Sequence, residues 1–255
     1  MSSPRKSRRA NRPANRPDSP HSLTALRNGP NLSVRRKIPN VADTPTIIPV
    51  FPLPNLVLFP AVSVPLHIFE PRYREMIADV SDTHGMIGMM LLKAEWEHDA
   101  FPDIFEVGCA GRIGGLVKLP DGRYNLVLEG VSEFRIVREI RDRSYRQAEV
   151  RWCPVSRDAL DCDAETMEAL REMLLRYLGQ PAQEAWRTIV EQRGLRGAEL
   201  INFLCFHLDV TPLEKQTLLE AMADRVDCLL DVLTFKLEER KRGPAGTSGG
   251  PDTVQ

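Results

Sequence analysis

Between Ile47 and Val80 the chain reads IIPVFPLPNLVLFPAVSVPLHIFEPRYREMIADV, an apolar stretch punctuated by six prolines: Pro49, Pro52, Pro54, Pro60, Pro65 and Pro71. Proline fixes φ and lacks a backbone donor, so no helix runs through Ile47–Phe69, and neither does the middle of a regular sheet. The apolar content is too high for a linker. What remains is short strands and extended turns at the edge of a β structure. At Pro71 the pattern changes. Tyr73, Met76, Ile77 and Val80 recur at helical spacing, and proline suits the first helical position. Glu70 and Arg72 flank that proline and read as an ion pair holding a strand–helix junction.

The rest of the first half is β in character. MIGMMLLK (Met86–Lys93) is short and apolar enough for a buried strand. AEWEHDAFPDIFE is polar and aperiodic, a surface loop. Val107–Leu119 alternates well enough for a bent strand, with Gly111, Gly114 and Gly115 permitting bulges. Pro120-Asp121-Gly122 is a turn between strands. Tyr124, Leu126 and Leu128 then share a face. Gly130 is expected to break the run before Phe134 and Ile136 continue it, and Tyr145–Trp152 is a last strand. These segments predict about six strands and one helix over residues 46–155, with a sheet curling towards a barrel.

From Asp161 the period becomes helical. Met167, Leu170, Leu174, Tyr177 and Leu178 form one stripe, ended by Gly179 and Pro181. A short helix carries Trp186, Ile189 and Val190. Ala198–Leu208 is apolar nearly all round and predicts a buried central helix. Thr211-Pro212-Leu213-Glu214 is a capping box with proline at the first position. The last helix carries Val226, Leu229, Leu230, Leu233 and Leu237 and ends in basic residues that complement its dipole. The fold class predicted is α+β: a β-rich pseudo-barrel over 46–155, then a helical bundle over 160–242. Residues 1–45 and 243–255 read as a disordered basic leader and a flexible tail.

Charge is uneven along the chain. The leader holds ten Lys/Arg and two Asp/Glu, and the remainder has 24 basic and 33 acidic residues. An acidic body with a basic leader is the reverse of a nucleic-acid-binding domain. No apolar run reaches the roughly 18 residues that span a bilayer, and no secretory signal is present. Cys109, Cys153, Cys162, Cys205 and Cys228 are odd in number and irregularly spaced, as expected of reduced thiols in a cytoplasmic protein. No P-loop, GxSxG or HExxH occurs. The glycines of GCAGRIGG follow no strand–helix unit, so no dinucleotide site is expected. Cys205 and His207 are two apart on a helix and point away from each other, so no metal site is expected. His67 reads as a structural hydrogen-bonding residue. None of the seven lysines lies in an apolar setting that would lower its pKa into the range of a catalytic base. No catalytic residue, cofactor or metal is therefore predicted.

Phe51–Ile77, VGCAGRIGGL, LPDGRYNLVLEGVSEFRI and TPLEKQTLLEAMADRVDCLL closely resemble the N-terminal, substrate-binding domain of Lon proteases over residues 46–240. The resemblance implies a β-rich subdomain like PUA-type modules, a helical subdomain, and recognition of polypeptides without chemistry. Lon-type proteases continue into ATPase and serine–lysine protease modules. This chain has neither before Gln255, so it is expected to act as a free-standing binding protein or adaptor alongside a partner protease or chaperone. Ala61 departs from the glycine common after Phe-Pro, and Glu133 from a common basic residue. A peptide groove needs apolar walls with few charges. The candidates are Phe51, Leu53, Leu56, Phe59, Pro60, Ile68 and Phe69, with unpaired backbone beside the prolines able to take an added strand. The alternative readings are a peptidase or other hydrolase, and an RNA- or DNA-binding protein using the barrel and the leader.

Overall fold

In the computed structural model, residues 44–93, 102–156, 158–179 and 181–242 are described, apart from the side chains of 181 and 182. The leader up to residue 43, the expected loop over 94–101 and the tail from 243 lie outside the described residues. The proline-rich run opens with a strand that accommodates its missing donors by stagger. β1 (Ile47–Leu53) pairs antiparallel with β6 (Arg146–Trp152) from Ile47 to Val50. It pairs parallel with β3 (Met86–Leu91) from Val50 to Leu53. Pro49 lies opposite Gln147 before the β3 pairing begins, and Pro52 lies opposite Met90 after the β6 pairing has ended. Each proline has a ladder on one side only and directs its lack of an N–H to the other. The edge position expected for this segment is thus corrected: β1 lies between two strands, and Val50 alone is flanked on both sides.

β2 (Ser63–Ile68), β4 (Val107–Lys118) and β5 (Tyr124–Ile140) complete a sheet ordered β2-β5-β4-β3-β1-β6, and β6 returns to pair with β5. Five strands therefore close into a small barrel, and β2 attaches to the first half of β5. Ile48, Val50, Met86, Met90, Ala110, Phe134 and Val150 fill the interior. Gly88 and Gly108 leave room for the Phe134 ring, into which a Cβ at either position would press. Contrary to expectation, Gly130 does not interrupt β5. It is needed because the Phe59 carbonyl rests against its Cα, while Ala61 N–H donates to its carbonyl at 2.9 Å and its N–H donates to Val62 at 2.8 Å.

α1 (Pro71–Ser81) buries Tyr73, Met76, Ile77 and Val80, as their spacing predicts. The later helices are α2 (Ala164–Leu178), α3 (Pro181–Trp186), which continues as a π-helical turn over Arg187–Gln192, α4 (Gly197–His207), α5 (Pro212–Glu220) and α6 (Arg225–Arg242). The capping box is formed: Glu214 N–H donates to Thr211 Oγ1 at 3.2 Å and Thr211 N–H to Glu214 Oε2 at 2.7 Å. Ile87, Met89, Val107 and Cys109 on the outer face of the sheet share one core with Leu170, Ile201, Leu218 and Leu229 of the helices. The architecture is the mixed α+β class the sequence implies.

That core contains a buried ion pair. Arg225 has no solvent exposure, and its Nη2 donates to Glu133 Oε1 at 2.5 Å. Nη1 donates to Asn202 Oδ1 at 2.5 Å, and Nε and Nη2 donate to the carbonyls of Leu218 and Leu219 at 2.9 and 3.1 Å. The Phe59 ring lies 5.4 Å away. Glu133 thus serves as the counter-ion that lets α6 start inside the protein. Gln216 adds a second tie, donating from Nε2 to Val107 O at 2.9 Å.

Lys215 corrects a third expectation. It is buried in α5, and burial lowers its pKa from 10.5 to about 8. Its ammonium is nevertheless committed, donating to the Phe206 carbonyl at 2.5 Å with the Phe206 ring 5.5 Å away. The signal is absent from the sequence because Lys215 shares a helix turn with Glu214 and Thr217 and becomes apolar in setting only when α4 packs over it.

Three outcomes follow from these contacts. Glu133→Ala strands the Arg225 charge and should lower unfolding free energy by about 3–5 kcal/mol in denaturant titrations, and Glu133→Leu combined with Arg225→Met should recover only part of that loss, because Asn202 Oδ1 and the Leu218 and Leu219 carbonyls then lack their donor. Because the Lys215 pKa is lower folded than unfolded, its burial penalty is complete below pH 8 and lifts as pH rises to 10.5. The stability advantage of Lys215→Met over the parent should therefore shrink by about 3 kcal/mol between pH 7 and 10.5, measured as a difference so that the tyrosines cancel. Ala61 holds φ at 62°. Ala61→Gly relieves about 1–2 kcal/mol of left-handed strain and gives back about 0.4–1 through the unfolded chain, so the melting temperature should rise by about 1–3 °C.

Candidate polypeptide-binding surface

The structure divides the seven candidate residues. Phe51 is buried edge-on against Tyr73, with ring centroids 4.5 Å apart, Phe59 lies under the Arg225 guanidinium, and Ile68 is in the core. These three cannot wall an open groove, which corrects the expectation for them. The cause is the turn at Phe59–Ala61. Pinned on Gly130, it faces the apolar side chains of the run inwards. Leu53 and Leu56 are half-buried against the same core, and Pro60 is half-buried at the turn. Phe69 alone of the seven stands out, 61% exposed at the end of β2.

What surrounds Phe69 follows from the bulges in β4. The β4–β5 register slips between Ala110 and Gly111, and again between Gly114 and Val117, at the glycines that the sequence marks. Beyond Arg112, where its pairing with β3 ends, β4 leaves the barrel and forms a three-stranded ledge with the first half of β5 and β2. Val64, Leu126, Leu128 and Ile68 face the core. On the other face, register aligns Pro65 with Val127 and Gly114, and His67 with Asn125 and Val117. Val117 is 54% and Leu116 37% exposed. The candidate list omits both; two consecutive apolar residues between Gly115 and Lys118, where strict alternation fails, were the available signal.

A polar network spans the ledge. Asp121 Oδ2 accepts from Arg123 Nε at 2.7 Å, Arg123 Nη1 lies 3.2 Å from His67 Nε2, and His67 Nδ1 lies 2.6 Å from Asn125 Oδ1. A guanidinium only donates, so Nε2 is assigned as acceptor and Nδ1–H as donor, which makes His67 a neutral imidazole. Hydrogen bonding to Arg123 lowers the Asp121 pKa, and the reciprocal contact raises that of Arg123. His67 also stacks on Phe69, with centroids 6.3 Å apart. The structural role expected of His67 is observed. The Glu70–Arg72 pair expected at the junction is present at 3.0 Å, with Arg72 4.6 Å from the Tyr73 ring centroid.

The edge of β2 away from β5 has no ladder partner among the described residues. Because the Val62 carbonyl accepts from Gly130, alternation turns the backbone of Val64, Leu66 and Ile68 towards β5 and that of Ser63, Pro65 and His67 outwards.

Nucleophilic chemistry is suppressed at the buried thiols. Burial pushes Cys109 well above its usual range and Cys205 up to about 12. No group of three or more His, Cys, Asp or Glu among the described residues is arranged to hold a metal ion. No helix among them is long and apolar enough to cross a membrane.

Comparison with known proteins agrees with this geometry. Lon protease 2 of Myxococcus xanthus is 26% identical over 204 residues, covering 78% of this chain and 25% of that protein. The Lon protease of Anaeromyxobacter dehalogenans is also 26% identical over 204 residues, covering 78% and 24% respectively. The chain thus spans about a quarter of the length of these relatives. A crystal structure of a Lon N-terminal domain protein from Xanthomonas campestris superposes with a TM-score of 0.55 at 27% identity, covering 74% of this chain and 98% of that one. The N-terminal domain of the Mycobacterium avium complex Lon protease shares the fold, with a TM-score of 0.56 at 18% identity over 76% of this chain and 98% of that one. The model of the ATP-dependent protease La (Lon) substrate-binding domain matches residues 47–234, and the chain belongs to that family.

Proposed function

We propose that the chain is a polypeptide-recognition module serving Lon-type proteolysis, and that it contributes binding, with bond cleavage carried out elsewhere in a longer protein or by a partner protease. The observation that carries this reading is Phe69: within a Lon substrate-binding domain, a large aromatic side chain stands free and stacks on His67, on the ledge face that also carries the exposed Val117. Exposed apolar surface rimmed by polar groups is the usual form of a protein-interaction site. The outward backbone of Ser63, Pro65 and His67 offers a second mode of contact, an extended segment added to β2. A non-catalytic role is supported by the raised thiol pKa values and by the commitment of the Lys215 ammonium to Phe206. All five cysteines are free, in keeping with a cytoplasmic protein. The acidic balance of the chain beyond its leader opposes a nucleic-acid role.

The test is fluorescence anisotropy with dye-labelled casein. Phe69→Asp should weaken binding by about tenfold or more. It should leave the thermal midpoint nearly unchanged, since an exposed side chain contributes within about 0.5 kcal/mol of stability. Casein binding that is unaffected by Phe69→Asp, or absent from the parent, would remove the reading.

A further inference from the structure

The exposed ring of Phe69 stacks on His67, with the two planes 27° from parallel, so whatever fixes the imidazole also fixes the aromatic side chain. Both ring nitrogens of His67 are engaged: Nε2 faces Arg123 Nη1 at 3.2 Å and Nδ1 faces Asn125 Oδ1 at 2.6 Å. Arg123 is fixed in turn by Asp121, whose Oδ2 accepts from Nε at 2.7 Å and lies 2.6 Å from Nη2, and whose Oδ1 accepts from the Arg123 N–H at 3.1 Å. The β4–β5 turn that carries both is closed by Leu119 N–H to Arg123 O at 2.8 Å and by Gly122 N–H to Leu119 O at 2.9 Å. A chain of contacts therefore runs from a closed turn to the exposed ring. It admits one protonation state. A guanidinium has no lone pair to offer, so a proton on His67 Nε2 sets donor against donor and a second positive charge beside Arg123. No neighbouring acid offsets that charge. Asp121 is committed to Arg123, and Glu70 is paired with Arg72 at 3.0 Å. Of the other cations nearby, Arg74 packs against Gly122, and Lys118 aligns with Tyr124 and Ile68 on the opposite face of the ledge.

We propose that Asp121 and Arg123 are positioning residues that act through neutral His67 to hold Phe69 in place, so that the ledge binds polypeptide at neutral pH and releases it in acid. The inference rests on the reading of Phe69 as a polypeptide-binding residue and adds the residues that set it and the condition that lets the polypeptide go. Imidazoles gain a proton as pH falls from about 8 to about 5. The imidazolium turns away from Arg123, and Phe69 loses the face on which it stacks. A ring that is pre-positioned costs less to order on binding than one that is free, so affinity falls with the loss of that support.

The test uses a dye-labelled decapeptide with a leucine–phenylalanine–valine core flanked by asparagines, acetylated and amidated at its ends. It has no titrating group, so any pH dependence belongs to the protein. By anisotropy its affinity should fall about three- to fivefold between about pH 7.5 and about pH 5.5. His67→Gln keeps a donor and an acceptor but takes no proton, and its affinity should change by less than about 1.5-fold over that range. Arg123→Gln removes the opposing charge and should shrink the pH step while His67 remains. Both substituted side chains are exposed, so the fold is kept. In NMR spectra of the parent, long-range nitrogen correlations should show the Nδ1–H tautomer of His67 at neutral pH, and the Phe69 ring signals should move with the His67 titration. Where His67→Gln no longer binds the peptide, Arg123→Gln and the Phe69 signals decide. An affinity that is constant or rises as pH falls, a fall that persists in His67→Gln or is undiminished in Arg123→Gln, or Phe69 signals that ignore the His67 titration would overturn the proposal. In that case, peptide binding lost in Phe69→Asp would still support the polypeptide-binding role. A peptide that binds at neither pH would overturn both.

Discussion

The contact on which the rest of the structure depends is the guanidinium of Arg225. A fully buried cation is costly unless its donors are satisfied. Here they reach Glu133 on β5, Asn202 on α4 and the last carbonyls of α5, while the Phe59 ring covers the remaining side. One side chain therefore ties the barrel wall, three helices and the proline-braced run. It also resolves a local problem. Helix α5 ends in the interior with carbonyls that have no helical partner, and Met222 turns through φ of 53° just before α6 begins. The guanidinium supplies the donors that a solvated helix end would take from water.

This hub decides where a binding surface can and cannot be. Phe59 is committed to it, and the turn at Ala61 is clamped to Gly130, so the run that is richest in apolar residues is locked inwards. The barrel is also unavailable, because Phe134 fills it in the space left by Gly88 and Gly108. Accessible apolar surface arises where neither constraint reaches, past the bulges of β4, on the ledge that β2, β5 and β4 form outside the barrel.

Local features were legible in the sequence for local reasons. Proline at the start of α1, the Thr211–Glu214 capping box and the glycines at the β4 bulges each act through their own backbone within a few residues. The stagger of β1 was not legible, because whether Pro49 and Pro52 are tolerated depends on where two distant strands start and stop beside them. Glu133 and Arg225 are 92 residues apart in sequence, and no periodicity announces their meeting. Among the candidate binding residues, Phe51, Phe59 and Phe69 are indistinguishable by type. Alternation in a regular strand would sort them, but prolines and the positive φ at Ala61 break the phase between β1 and β2.

An exposed aromatic next to an open strand edge is an aggregation hazard that proteins ordinarily suppress. Pro65 is one such suppressor, since its outward side has a carbonyl and no donor. The network from Asp121 to Asn125 is another, because it holds His67 and Arg123 in fixed positions beside Phe69 at no cost in net charge. Together they leave an edge that accepts backbone hydrogen bonds more readily than it donates them, with charged side chains near the exposed Phe69 ring. A second copy of the same edge, equally short of donors, pairs poorly with it. An extended segment with a full set of N–H groups does not share that defect, so the proposed addition of a foreign segment to β2 is compatible with an edge that disfavours pairing with its own copy.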